Sequence, residues 1–182
     1  MTEGFQIFDV DEASVSLTSF VGTTYAPRGQ RPVLTISTEI TRRLYVVSGI
    51  SASGDLLYHC REKPFDAHAI IAFLQQMLTA YEGRLLIIWD NASIHDCAAT
   101  RTFLTTDAHA GRLHLVKQPT YTPEVNADEQ VWHQLKCVSL KNTCAKTLQE
   151  LRLLIIAAMD ALQQTPALIK QFFHHPAVAF YN

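Results

Sequence analysis

The sequence predicts an α/β domain in which an antiparallel meander leads into alternating helices and strands. Three observations carry that expectation. Short β-favouring stretches separated by turn residues fill the first third of the chain, and an apolar stripe at helical spacing follows from Phe65 to Tyr81. Leu85–Leu86–Ile87–Ile88–Trp89 then runs five apolar residues in a row before Asp90–Asn91. A continuous apolar run marks a strand buried on both faces, and α/β sheets keep their chemistry at the C-terminal tips of such strands.

Taken in order, Phe5 to Asp11 alternates and is rich in β formers, so a first strand should end near Asp11. Ala26–Pro27–Arg28–Gly29–Gln30–Arg31–Pro32 is a turn segment carrying phosphate-contact candidates. Val33 to Thr38, Arg43 to Ile50 and Leu56 to Cys60 are further strand candidates, the last two joined by the turn residues Ser53–Gly54–Asp55. Phe65, Ala69, Ile70, Phe73, Leu74, Met77, Leu78 and Tyr81 predict a helix with Asp66 as its N-cap. Gly83 ends it, and the strand to Trp89 is followed by a second helix, Ser93 to Thr105. Leu113 to Val116 is a short strand, and Lys117 to Val125, with Pro119 and Pro123, is a loop. Asn126 should cap a third helix that places Val131, Leu135 and Val138 on one face. Thr147-x-x-Glu150 opens a strong amphipathic helix to Leu162, and Thr165–Pro166 starts a short final one.

At 182 residues the chain suits one domain, read as 1–182 with a core at about 5–140 and a C-terminal helical extension at about 146–176. Hydrophobic residues make up 48% and charged residues 18%, the composition of an ordered globular chain. A formal net charge of -2 gives the whole molecule no attraction to a polyanion, so any nucleic-acid contact has to be local or shared with another domain. Cys60, Cys97, Cys137 and Cys144 form no Cys-x-x-Cys pair and no framework spacing, which argues against a disulfide scaffold or a zinc knot and for reduced thiols in a cytoplasmic protein. No secretory leader pattern opens the sequence, and its longest apolar run is too short to span a bilayer.

Three acidic clusters stand at predicted element ends: Asp11–Glu12, Asp90, and Asn126–Ala127–Asp128–Glu129. Taken singly, Asp90 and Ser93 could simply turn the chain and cap the next helix. Taken together, three carboxylates suggest a metal site, because Asp and Glu are hard oxygen donors suited to Mg²⁺ or Mn²⁺. Two such ions, about 4 Å apart, clamp the attacking and leaving oxygens of an in-line phosphoryl displacement. Glu12 should point to the face opposite Asp11 and bond locally, with support of a metal ligand from behind as the alternative. His95, about a turn from Asp90, reads either as a histidine that orients a ligand or touches phosphate or as a helix-surface or satisfied histidine, His174–His175 as a solvated end, and Trp132 and Phe172–Phe173 as core or interface.

At these residues the chain resembles the catalytic domain of bacterial insertion-sequence transposases of the mariner-like superfamily, the DDE endonucleases. The resemblance runs from about Phe8 to Lys136. It rests on Asp11–Glu12–Ala13–Ser14 leading to Thr24–Tyr25–Ala26–Pro27–Arg28–Gly29–Gln30–Arg31–Pro32, on Trp89–Asp90–Asn91–Ala92–Ser93–Ile94–His95, and on Pro119 to Trp132 with its Asn126–Ala127–Asp128–Glu129–Gln130–Val131–Trp132 end. It implies a ribonuclease H-like fold: a mixed five-stranded sheet with the first three strands antiparallel, helices on both faces and extra C-terminal helices. It also implies a metal-binding catalytic triad on Asp11, Asp90 and Glu129, with two Mg²⁺ or Mn²⁺ ions. The implied reaction is hydrolysis of a DNA phosphodiester at a transposon end, then attack of the freed 3′-hydroxyl on target DNA. Arg28, Lys117 with Gln118, the loop to Pro123, and Lys136 are then placed to meet the DNA backbone.

The sequence departs from the family pattern in three places. The separation from Asp90 to Glu129, 129 − 90 = 39, is longer than the family pattern, with the extra length expected in Thr105 to Gly111, where it should not move the site. Asp128 stands beside Glu129 where the family has an apolar residue, so it competes as third ligand; Glu129 keeps the Gln-Val-Trp register. The family's N-terminal helix-turn-helix region, which recognises transposon ends, has no counterpart ahead of the first catalytic strand, so sequence specificity is expected from a separate or missing region. The resemblance implies a homodimer, with the Thr147 to Phe173 helices as its candidate surface. The alternatives are an inactive remnant serving as a DNA-binding or dimerisation module, and a structure-specific nuclease on the same fold.

Overall fold

The computed structural model describes residues 4–17, 22–31, 33, 41–106, 111–119, 125–174 and 178. Five strands form one sheet: β1 (Phe5–Ser16), β2 (Arg43–Ser51), β3 (Leu56–Arg61), β4 (Arg84–Trp89) and β5 (Leu113–Lys117). Their order is β3-β2-β1-β4-β5, antiparallel through β1, β2 and β3 and parallel from β1 through β4 to β5. This is the mixed sheet the resemblance implied. The part of the Val33 to Thr38 strand candidate beyond Val33 lies outside the described residues, and Val33 itself is exposed and in no strand.

Alternation along β1 sends Val15 into one apolar cluster and Phe8 and Val10 into the other, so the sheet is covered on both faces. The Phe8 face is covered by α1 (Ala67–Ala80), capped as expected by the Asp66 carboxylate accepting from Ala69 N at 2.9 Å. The opposite face is covered by α3 (Glu129–His133), α4 (Leu148–Gln163) and α5 (Pro166–Phe172). Tyr58 donates to Asp160 at 2.6 Å, Gln163 to the Leu56 carbonyl at 2.7 Å and Arg152 to the Cys60 carbonyl at 3.1 Å, tying α4 to β3. The inner side of these C-terminal helices is therefore a layer of the core.

The expected elements shift in three places. Strand β1 runs past Asp11 to Ser16, because β2 pairs with it as far as Ser16↔Arg43 while β4 leaves it at Asp9↔Ile88. The predicted Ser93 to Thr105 helix is two pieces, a 3-10 turn over Ser93–Asp96 and α2 (Ala98–Thr105), with Cys97 extended between them. After α3 the chain continues as a π-helical turn over Gln134–Ser139. Its wider winding rotates the register, so Val131 and Leu135 are buried while Val138 is 53% exposed and leaves their face. Geometrically Asp128 occupies the N-cap of α3; Asn126 still contributes, its side-chain oxygen accepting from Asp128 N at 3.0 Å.

Candidate active site

The site lies where β1 outruns β4. The last β1–β4 pair is Asp9↔Ile88; Asp11 lies two residues beyond it on β1, and Asp90 two residues beyond it just past the end of β4. Asp9 and Asp11, two apart in a strand, share a face. That face meets the turn and helix at 126–133: Asp9 Oδ2 accepts from Ala127 N at 3.0 Å, and Asp11 Oδ2 accepts from the Trp132 indole at 3.0 Å. Glu129 is three residues before Trp132, hence on the same side of α3.

Burial is the main force on Asp11 and raises its carboxyl; the Trp132 hydrogen bond works against it, and the neighbouring Glu129 charge adds to it, bringing it to about 7. Asp128 is fully buried, with Oδ2 accepting from Ser48 at 2.7 Å and Oδ1 without a hydrogen-bond partner among the described residues. Desolvation and then the charge of Asp11 hold it well above the usual carboxylate range. Asp128 thus points into the sheet while Glu129 is exposed, which separates the two candidates for third ligand. Lys136 is half-buried; burial lowers its ammonium, and Glu129 and Asp11 pull it back up, so it faces the acidic group.

Asp90 is exposed at the tip of β4, its Oδ1 accepting from Ala92 N at 2.9 Å. His95, which the sequence offers both as a ligand-orienting and as a surface or satisfied histidine, is only 5% exposed. Its Nδ1 lies 2.9 Å from Asp90 Oδ1 and its Nε2 2.9 Å from Glu12 Oε1. Burial disfavours the charged ring, but Glu12 and Asp90 outweigh it and raise the imidazole above its ordinary value. Glu12 does point away from Asp11's face, yet its partner is distant in sequence and not local.

The expected DNA contacts are placed differently from one another. Arg28 sits in an exposed turn closed by Gln30 N donating to the Pro27 carbonyl at 3.0 Å. Lys117 is exposed at the end of β5 and ion-paired to Asp96 at 2.6 Å. Gln118 is buried, its carbonyl accepting from Asn91 at 2.7 Å, so its side chain is not presented at the surface. Residues 120–124 of the loop lie outside the described residues.

Sequence reading missed Asp9 and the Trp132 indole as partners of this site. The spacing of Asp9 and Asp11 was the available signal, since i and i+2 in a strand share a face. Among the described residues no group of three His, Cys, Asp or Glu side chains stands close enough to hold a metal ion as they lie. The donor set nonetheless fits a hard divalent cation: carboxylate oxygens from three elements, one of them with its ionised form disfavoured by burial and by a like charge.

The sequence matches the DDE superfamily endonuclease family over residues 6–152. The chain belongs to that family. This DDE domain also superposes over 97% of its length on Mos1 transposase in a paired-end complex with left transposon end, at a TM-score of 0.67 and 14% identity, covering 55% of that chain. Against the catalytic domain of Mos1 mariner transposase the TM-score is 0.59 at 12% identity, with 97% of this chain and 82% of that one covered. A chain of the simian T-cell lymphotropic virus intasome complex gives a TM-score of 0.56 at 11% identity over 82% of this chain and 46% of the other. At such identities the likeness speaks for the ribonuclease H-like transposase fold. The DDE domain spans about half the length of the Mos1 transposase chain in the paired-end complex. A search of curated protein sequences finds no match.

Proposed function

We propose that this DDE domain is the catalytic part of a transposase, cutting a DNA phosphodiester at a transposon end and joining the freed 3′-hydroxyl to target DNA, with Asp11, Asp90 and Glu129 holding Mg²⁺ or Mn²⁺. The observation that carries the reading is the facing of Asp11 on β1 and Glu129 on α3, where burial and the Glu129 charge both raise the Asp11 carboxyl. Asp90 supports it from the neighbouring strand tip. Relatives of the same fold include Mos1 paired-end complexes with Mn and with Mg, and one with left transposon end.

Bound there, the divalent ions would supply the positive charge that activates the attacking oxygen and stabilises the leaving one. The chain's own groups set the stage. Trp132 fixes one oxygen of Asp11 and the Glu12 amide, at 2.9 Å, fixes the other, so the carboxylate cannot rotate freely. Glu129 and Asp90 are exposed, which leaves their carboxylates open to a cation from solvent. Asp9 holds the 126–129 turn against β1, which fixes where Glu129 starts. Arg28 and Lys117 supply exposed cations for backbone phosphates, and Lys136 a half-buried one beside the acids. A homodimer and a separate end-recognising helix-turn-helix region belong to the same proposal.

The test is nicking of supercoiled plasmid with Mn²⁺, together with anomalous diffraction from Mn²⁺-soaked crystals. The wild type should nick and show ions among the three carboxylates, and Asp11→Ala, Asp90→Ala and Glu129→Ala should each lose at least about a hundredfold in rate. Neither nicking nor ion density in the wild type would overturn the proposal in favour of a binding or dimerisation module.

A further inference from the structure

His95 ties the two aspartates together through an unbroken set of contacts. Asp11 Oδ1 accepts from the Glu12 amide at 2.9 Å; Glu12 Oε1 lies 2.9 Å from His95 Nε2; and His95 Nδ1 lies 2.9 Å from Asp90 Oδ1. The ring is also 4.1 Å, centroid to centroid, from the Trp89 indole at an interplanar angle of 32°, so packing restrains it as well. The break in the predicted helix has the same origin. His95 N donates to the Ala92 carbonyl at 3.0 Å and closes the short 3-10 turn that brings the ring under Asp90, and α2 restarts only after Cys97.

We propose that His95, anchored by Glu12, is a positioning residue that fixes the Asp90 carboxylate relative to Asp11 for cation binding. The Asp90 side chain is 51% exposed, and left alone it would sample several rotamers. His95 Nδ1 meets the Asp90 main-chain carbonyl at 3.3 Å and stands 2.9 Å from Oδ1 as an ion-pair partner, and the Ala92 amide donates to the same Oδ1, which orients the group and leaves Oδ2 uncommitted to either donor. Because Glu12 follows Asp11 directly in β1, the same contacts set the spacing between the two acids and not only the angle of one. Groups that orient a metal ligand in this way change metal affinity by about 10–100-fold when removed. The inference rests on the metal-dependent reading above.

The experiment titrates the whole chain with Mn²⁺ alone, followed by electron paramagnetic resonance, alongside a thermal melt of each variant. His95→Leu keeps the volume beside Trp89 but has no donor, and should weaken Mn²⁺ binding about tenfold or more while still melting cooperatively. His95→Asn, whose amide can donate to Asp90, should recover part of that loss. Where His95→Leu fails to fold, Glu12→Ala takes its place, since it removes the anchor of the ring and leaves the Trp89 contact. Wild-type affinity in the donor-less variant overturns the positioning role while leaving the metal site intact. No Mn²⁺ binding by the wild type overturns the metal site and this role with it.

Discussion

Replacing Asp11 by Asn should make the metal-free protein more stable as pH rises. The Asp11 carboxyl lies at about 7 in the fold against an ordinary 3.8. Between those values the unfolded chain has lost the proton while the folded one still holds it, so stability falls with increasing pH and stays lowered above about 7. At roughly 1.36 kcal/mol for each pH unit, the full deficit is about 4 kcal/mol. Asn carries no charge and escapes it. Asn also offers one acceptor oxygen where Asp11 accepts from both the Glu12 amide and the Trp132 indole, a loss of about 1–2 kcal/mol relative to the protonated acid; the extra strength of those bonds to the ionised acid is already contained in the value of about 7. The clean readout is therefore the change with pH: the stability of Asp11→Asn relative to wild type should improve by about 2.5 kcal/mol from pH 5 to pH 8. Urea unfolding in chelator, followed by tryptophan fluorescence, measures it. A difference that is flat across that range, or that moves against the Asn variant, refutes the claim that Asp11 ionises at a cost.

Two further perturbations probe the surroundings of the site and the packing beneath it. Trp132→Phe keeps an aromatic ring in the core but removes the donor to Asp11, so it should cost about 1–3 kcal/mol at pH 8 and less at pH 5, where Asp11 is protonated. An equal loss at both pH values in urea melts would show that the indole N–H does nothing for the ionised acid. Gly54→Ala places a Cβ at φ +96°, 2.8 Å from the Pro166 carbonyl oxygen and 2.9 Å from its Cβ, where the β2–β3 turn meets α5. It should destabilise by about 2 kcal/mol or more, read as a lowered thermal midpoint, and an unchanged midpoint would mean that the turn and α5 separate at no cost.

What the sequence determined by itself is the list of elements and a short set of candidate acids. Apolar periodicity depends only on neighbours in the chain, so α1, α4 and β4 could be read to within a residue or two, and the order of strands and helices with them. Asp11, Asp90 and Glu129 could be named as candidates because each stands at a recognisable motif.

Contacts across the chain were decided only by the tertiary structure. The Trp132 indole and Asp11 are separated by 121 positions and His95 and Glu12 by 83, and no local pattern encodes either meeting. The extent of β1 was settled by its partner β2, whose pairing carries the strand past Asp11 to Ser16. The different surroundings of Asp128 and Glu129 come from a helix that turns about 100° per residue, which directs one carboxylate to Ser48 in the sheet and the other to solvent. Two adjacent acids look alike along the chain, and only the packing of α3 on β1 and β2 gives them different surroundings.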